Sequence, residues 1–163
     1  MRTIGAISLP GRRTAPRQAR MFVRTVLATA QPALDEETAG DIELCVDELV
    51  ANAWEHTDSG RGGHILVKVA VDGRMLRTTV VDDGGARTKP CVGTDLTAEH
   101  GRGLRLVDGL AARWGVDTAG RGTAVWAEFG HAGRLGAAGR VPDGELSARP
   151  GPGLPSRGGA ALF

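Results

Sequence analysis

Cysteine is almost missing from this chain. Cys45 and Cys91 are its only two among 163 residues. Cys45 falls inside a helical pattern and Cys91 in a loop, and neither has partners at metal-ligand spacing. A disulfide framework and a cysteine-based zinc site are therefore excluded, and reduced thiols in a cytoplasmic protein are expected. Long hydrophobic runs are also lacking: nowhere do eighteen apolar residues follow one another, and the apolar stretch in MRTIGAISLPGRR is too short for a signal-peptide core. The expectation is a soluble protein with no membrane partner. Lysine is scarce, with Lys68 and Lys89 the only two among 20 basic residues, and aromatic residues make up only 4%. The arginines are scattered among acids, the net charge is +1, and neither a basic stripe nor a stacking platform is visible, so no direct nucleic-acid binding is expected. The arginine, alanine and glycine bias follows GC-rich codon usage.

What is present suits one domain with a real core, since 41% of the residues are hydrophobic. Residues 3–9 (TIGAISL) read as a short strand ended by Pro10 and Gly11. From Ala15, the residues Ala19, Phe22, Val23, Val26, Leu27 and Ala30 recur at helical spacing, which predicts an amphipathic helix stopped by Pro32. Asp35 then precedes Glu36, Glu37 and Thr38, an N-cap followed by acids where the helix dipole favours them. The second helix should run to about Thr57, with Ile42, Cys45, Val46, Leu49, Val50 and Ala53 as its core stripe. HILVKVAVD and MLRTTVVDD alternate as two strands around Asp72-Gly73, a hairpin turn signal. Residues 84–103 read as a long loop, a short helix follows to about Arg113, and two strands over 113–118 and 122–129 complete the pattern. A two-layer α/β sandwich is predicted, a mixed β-sheet with helices on one face. Residues 1–130 form that domain. Residues 131–163 are rich in Gly, Pro, Ala and Arg, and this composition predicts a disordered tail.

Three places carry chemistry. Glu48, Asn52 and His56 recur at i, i+4 and i+8, so they share a helix face beside the core stripe. An amide oxygen can hold a hard cation such as Mg²⁺ while a carboxylate one turn away orients or deprotonates a nucleophile; an ordinary solvated face has the same spacing. VVDDGG (80–85) puts an acid pair at the end of an apolar strand, where a carboxylate can accept from an exocyclic amine and Gly84 admits a flat base; a plain turn has the same letters. HGRGL (100–104) opens a helix with glycines, and free backbone N–H groups there suit phosphates, with Arg102 and Arg105 able to add charge. It is neither the dinucleotide fingerprint nor a Walker loop.

Taken in order, these elements resemble the Bergerat-fold (GHKL) ATP-binding superfamily of gyrase, histidine kinases and MutL. ELVANAWEH (48–56) matches the N box, Val80-x-Asp82-x-Gly84 the first glycine box, Gly101, Arg102, Gly103 and Leu104 the second, and Gly122 and Thr123 the final strand. One position departs: Ala86 stands where many relatives have glycine. The stand-alone arrangement, with a helix over 15–30 ahead of the N box, is similar to the RsbW-type anti-sigma factor serine/threonine kinases. That resemblance implies ATP and Mg²⁺ as cofactors. It makes Glu48 the general base toward a serine hydroxyl, Asn52 the Mg²⁺ ligand and Asp82 the adenine contact. Gly84 would lie beside the base, Gly101, Arg102, Gly103 and Leu104 at the phosphates, and Thr123 near the base. It also implies a sigma factor and an anti-sigma antagonist as partners, with room for a homodimer. The alternative is a non-catalytic regulatory module that binds ATP only to order its surface. His56, near a helix C-terminus, reads as structural. Asp47 and Glu55 read as a solvated face, and Trp54, Trp114 and Trp126 as packing residues.

Overall fold

The computed structural model describes residues 1–30, 34–85 and 102–130. Strand β1 (Arg2–Pro10) leads to helices α1 (Ala15–Ala28) and α2 (Glu36–His56). A 3₁₀ turn (Asp58–Arg61) precedes β2 (His64–Asp72) and β3 (Met75–Val81), and α3 (Arg102–Leu110), β4 (Arg113–Ala119) and β5 (Gly122–Gly130) follow. The expected tail, Ala86, Cys91 and Gly101 lie outside the described residues. No helix among the described residues is long and apolar enough to cross a membrane.

Local chemistry sets the helix starts. Asp35 accepts from Thr38 N at 2.7 Å, and Glu36 and Glu37 occupy the first turn of α2, so the cap satisfies a backbone donor and the acids face the positive end of the dipole. Pro16 lies in the first turn of α1, where its missing N–H costs no helical bond. Helix α1 stops at Ala28, two residues short of the expected end.

The sheet order is β1-β2-β3-β5-β4. Ile65, Val67 and Val69 of β2, Leu76 and Val80 of β3, and Val125, Ala127 and Phe129 of β5 pack against Val23, Ile42, Cys45, Val46, Leu49 and Val50 of the helices. Alternate strand residues thus build one core with helices on a single face, the predicted two-layer sandwich. Each fully buried Val, Leu or Ile contributes roughly 1.5–3 kcal/mol to that core.

In one detail the sheet differs from the expected mixed sheet: all four pairings among the described strands are antiparallel. The cause is topological. The crossover through α3 makes β4 parallel to β3, but the tight turn at Gly120 (φ +63°) folds β5 back between them. β3 and β4 therefore each pair with β5 and not with one another.

Candidate functional site

The middle of α2 is held by its core stripe, with Cys45, Val46, Leu49, Val50 and Ala53 buried. Glu48 and Asn52 come up beside that stripe, both half-buried, one turn apart as their spacing requires. The first turn of α3 lies directly on them. A methyl placed on Gly103 would sit 2.7 Å from Glu48 Oε2 and 3.2 Å from Asn52 Nδ2, so glycine is what lets the helix start approach this pair. Leu104 turns inward, 6% exposed, and anchors α3 in the core with Val107. Gly101 lies outside the described residues, and of Arg102 only its place at the start of α3 is described.

The result is a carboxylate and an amide beneath a helix N-terminus, where backbone N–H groups and the helix dipole favour anions. Burial pushes the Glu48 carboxyl above its usual range, and the neighbouring charges of Asp47 and Glu55 push it the same way. A carboxylate of raised basicity suits proton abstraction better than one in open water. The oxygens of Glu48 and Asn52 are hard donors, so the pair fits a Mg²⁺ ion completed by phosphate oxygens and water. Cys45, buried behind them, has its thiol pushed up to about 12 by burial and by Asp41 and Glu48, which leaves it an inert packing group.

Asp82 continues the inward alternation of Leu76, Thr78 and Val80 past the end of β3, to the helix side of the sheet, and is 8% exposed. Its Oδ1 accepts from Gly84 N at 2.7 Å and from Thr123 N at 3.0 Å. Among the described residues Oδ2 has no partner, so one acceptor is held in place and one remains to be used. Gly84 has φ +83°, and a side chain there would collide with the Arg121 carbonyl, so this turn requires glycine. Thr123 meets Asp82 through its backbone on both sides, since Asp82 N also donates to Thr123 O at 2.9 Å.

His56 is exposed at the last turn of α2, 3.9 Å from Glu55, where a dipole role fits. Asp47 is half-buried, 4.0 Å from Arg20, and not the freely solvated acid expected. Trp54 and Trp114 pack against the core, whereas Trp126 lies on the open sheet face with the Arg77 guanidinium 4.3 Å over its ring. Sequence reasoning missed Ser59. It is wholly buried in the 3₁₀ turn and bonded to the strand end that carries Asp82; the Thr57-x-Ser59 capping pattern was its one local signal.

An α/β sandwich with an N-box pair under a glycine-opened helix and a carboxylate at the next strand end defines the GHKL class of ATP-binding domain. The chain belongs to the histidine kinase-like ATPase domain family, whose model matches residues 9–129. It is 39% identical over 95 residues to blue-light-activated histidine kinase 2 of Erythrobacter litoralis (strain HTCC2594), covering 55% of this chain and 27% of that protein. Among solved structures it is similar to the RsbU and RsbW domains of a Mycobacterium tuberculosis protein. There the TM-score is 0.57 with 25% identity, over 76% of this chain and 30% of the other. It also matches an Erythrobacter litoralis blue-light activated histidine kinase, with TM-score 0.47 and 34% identity over 60% of this chain and 32% of the other. The chain thus spans between a quarter and a third of the length of these relatives.

Proposed function

We propose that this chain is an ATP- and Mg²⁺-dependent protein serine kinase that holds a sigma factor and exchanges it for an anti-sigma antagonist, which it phosphorylates. The observation that carries this reading is the half-buried Glu48–Asn52 pair beneath the first turn of α3, with Gly103 packed so close that a methyl added there would stand 2.7 Å from the carboxylate. Phosphoryl transfer needs mainly positioning and charge neutralisation. Asn52 would hold Mg²⁺, the α3 N-terminus the phosphates, Asp82 the adenine amine, and Glu48 the proton of the acceptor hydroxyl. The likeness to an RsbW domain supports a serine acceptor and a partner-switching role.

A protein-binding function is supported by the groove of about 600 Å³ between α1 and α2. Arg17, Arg20 and Arg24 line it beside Met21 and Leu44, which are 60% and 41% exposed. Arg24 is neutralised by Glu43 at 2.7 Å and Arg20 lies 4.0 Å from Asp47, so the positive charge comes chiefly from Arg17, and beside two apolar side chains it suits an acidic amphipathic segment.

A second reading, the ATP-binding part of a histidine kinase, is favoured by the 39% identity to such a kinase. One experiment separates them: pull-down from cytosol with and without ATP·Mg²⁺, followed by phosphosite mapping and an acid-stability test of the label. The serine-kinase reading predicts ATP-dependent partner exchange and an acid-stable phosphoserine. An acid-labile phosphohistidine would transfer the assignment to the second reading.

A further inference from the structure

Asp82 and Asp83 leave β3 in opposite directions. Asp83 points away from the helix layer, where its carboxylate would ordinarily be a solvated turn residue, yet it is bound into a closed ring. Its Oδ2 accepts from His64 N at 2.6 Å. Its own N donates to Ser59 Oγ at 2.9 Å, and that hydroxyl donates to His64 O at 2.8 Å. Asp58 N adds a bond to Gly84 O at 2.7 Å.

The register explains why the ring is there. The β2–β3 ladder ends at Leu66↔Val81, and two residues further on the same register would set His64 opposite Asp83. Strand pairing stops where the chain turns at Gly84 (φ +83°), directly after Asp82 and Asp83. Side-chain bonds from Asp83 and Ser59 replace the missing ladder bonds. Ser59, wholly buried, is anchored in turn by its own neighbours: its N–H donates to Thr57 Oγ1 at 3.2 Å, and its carbonyl accepts from Gly63 N at 3.0 Å.

We infer that Asp83 and Ser59 are positioning residues for base selection: they fix the peptide segment 82–84 so that the free Oδ2 of Asp82 meets the exocyclic amine of a 6-aminopurine nucleotide. The inference rests on the reading of Asp82 as the base contact. Hydrogen bonds weaken steeply with distance and angle, so a strand end released from its ring loses the amine contact while the phosphates stay held at α3. Selectivity is therefore affected before overall affinity.

The test is calorimetric titration of the full chain and its variants with Mg²⁺ complexes of ATP and of inosine triphosphate, which carries a carbonyl in place of the amine. Wild type binds ATP more tightly. Asp83→Ala and Ser59→Ala reduce the ATP-to-inosine preference by about tenfold, the effect of one lost hydrogen bond to a charged group, with inosine triphosphate affinity held within about twofold. Asp83→Asn keeps an oxygen for His64 N and keeps the preference. Retention of the full preference in both alanine variants overturns the inference while leaving Asp82 as the base contact. Equal loss of both nucleotides also overturns it, because the ring would then support the fold alone. A wild type that does not distinguish the two nucleotides removes Asp82 from the base and this inference with it.

Discussion

Asp82 and Thr123 are joined twice across neighbouring strands, by Asp82 N donating to Thr123 O at 2.9 Å and Thr123 N donating to Asp82 Oδ1 at 3.0 Å. The second bond leaves Oδ2 as the remaining acceptor on a carboxylate that cannot swing away. An adenine amine is a donor, and Asp82→Asn can keep its oxygen on Thr123 N and Gly84 N only by turning its own NH₂ toward that amine. ATP affinity should fall by about 1–3 kcal/mol, measured by calorimetry, with little change in melting temperature. Unchanged affinity would remove Asp82 from the nucleotide site.

Gly103 gives a second, independent handle. Alanine is a better helix former by about 1 kcal/mol, but its methyl would stand 2.7 Å from Glu48 Oε2. The carboxylate is the far end of a flexible side chain and can yield. Gly103→Ala should therefore leave the melting temperature near the wild-type value while displacing Glu48, so that phosphotransfer falls more than ATP binding does. Transfer at the wild-type rate would show that the position of Glu48 is not critical.

On the open face of the sheet, Glu128 is 1% exposed between Arg77 and Arg113, each with a nitrogen 2.5 Å from it. Burial alone would raise its carboxyl, but hydrogen bonds and charge from the two arginines outweigh it and hold the group below its ordinary value of 4.5. A lowered folded-state value stabilises the fold above pH 4.5, and that contribution is lost as pH falls through the lowered value. Glu128→Gln should cost about 1–3 kcal/mol at neutral pH, the lower part of that range being expected because Arg113 is largely solvated. In urea titrations the variant should also lose part of the acid sensitivity of the wild type. An identical acid limb in both proteins would show that Glu128 is not its source.

The local elements were legible because each has a local cause. Asp35 with its acids marks the start of α2, Asp72-Gly73 marks the hairpin, and the spacing of Glu48 and Asn52 fixes their common face before any fold is known. Long-range consequences were not legible. Nothing in residues 113–130 says that β5 inserts between β3 and β4, and that insertion turned an expected mixed sheet antiparallel. Glu128 reads as one more polar residue in an alternating strand until Arg77, 51 positions away, is laid opposite it. The motif places Leu104 at the phosphates without saying that its side chain packs in the core, which leaves its backbone for that role. Ser59 and Asp83 look like turn residues, and their ring closes only once β2 and β3 are in register.

The most direct measurement of the central claim is transfer of label from γ-labelled ATP·Mg²⁺ to a purified antagonist, run beside ATP binding for wild type and Glu48→Gln. Glutamine keeps the size and hydrogen bonding of the side chain but cannot take a proton. Binding should survive, while transfer falls by about 10²–10⁴, the range for a lost positioned base. A wild type that binds ATP yet labels no antagonist would contradict the kinase account and leave a non-catalytic ATP-binding module, and a Glu48→Gln variant that transfers at the wild-type rate would move the base away from Glu48.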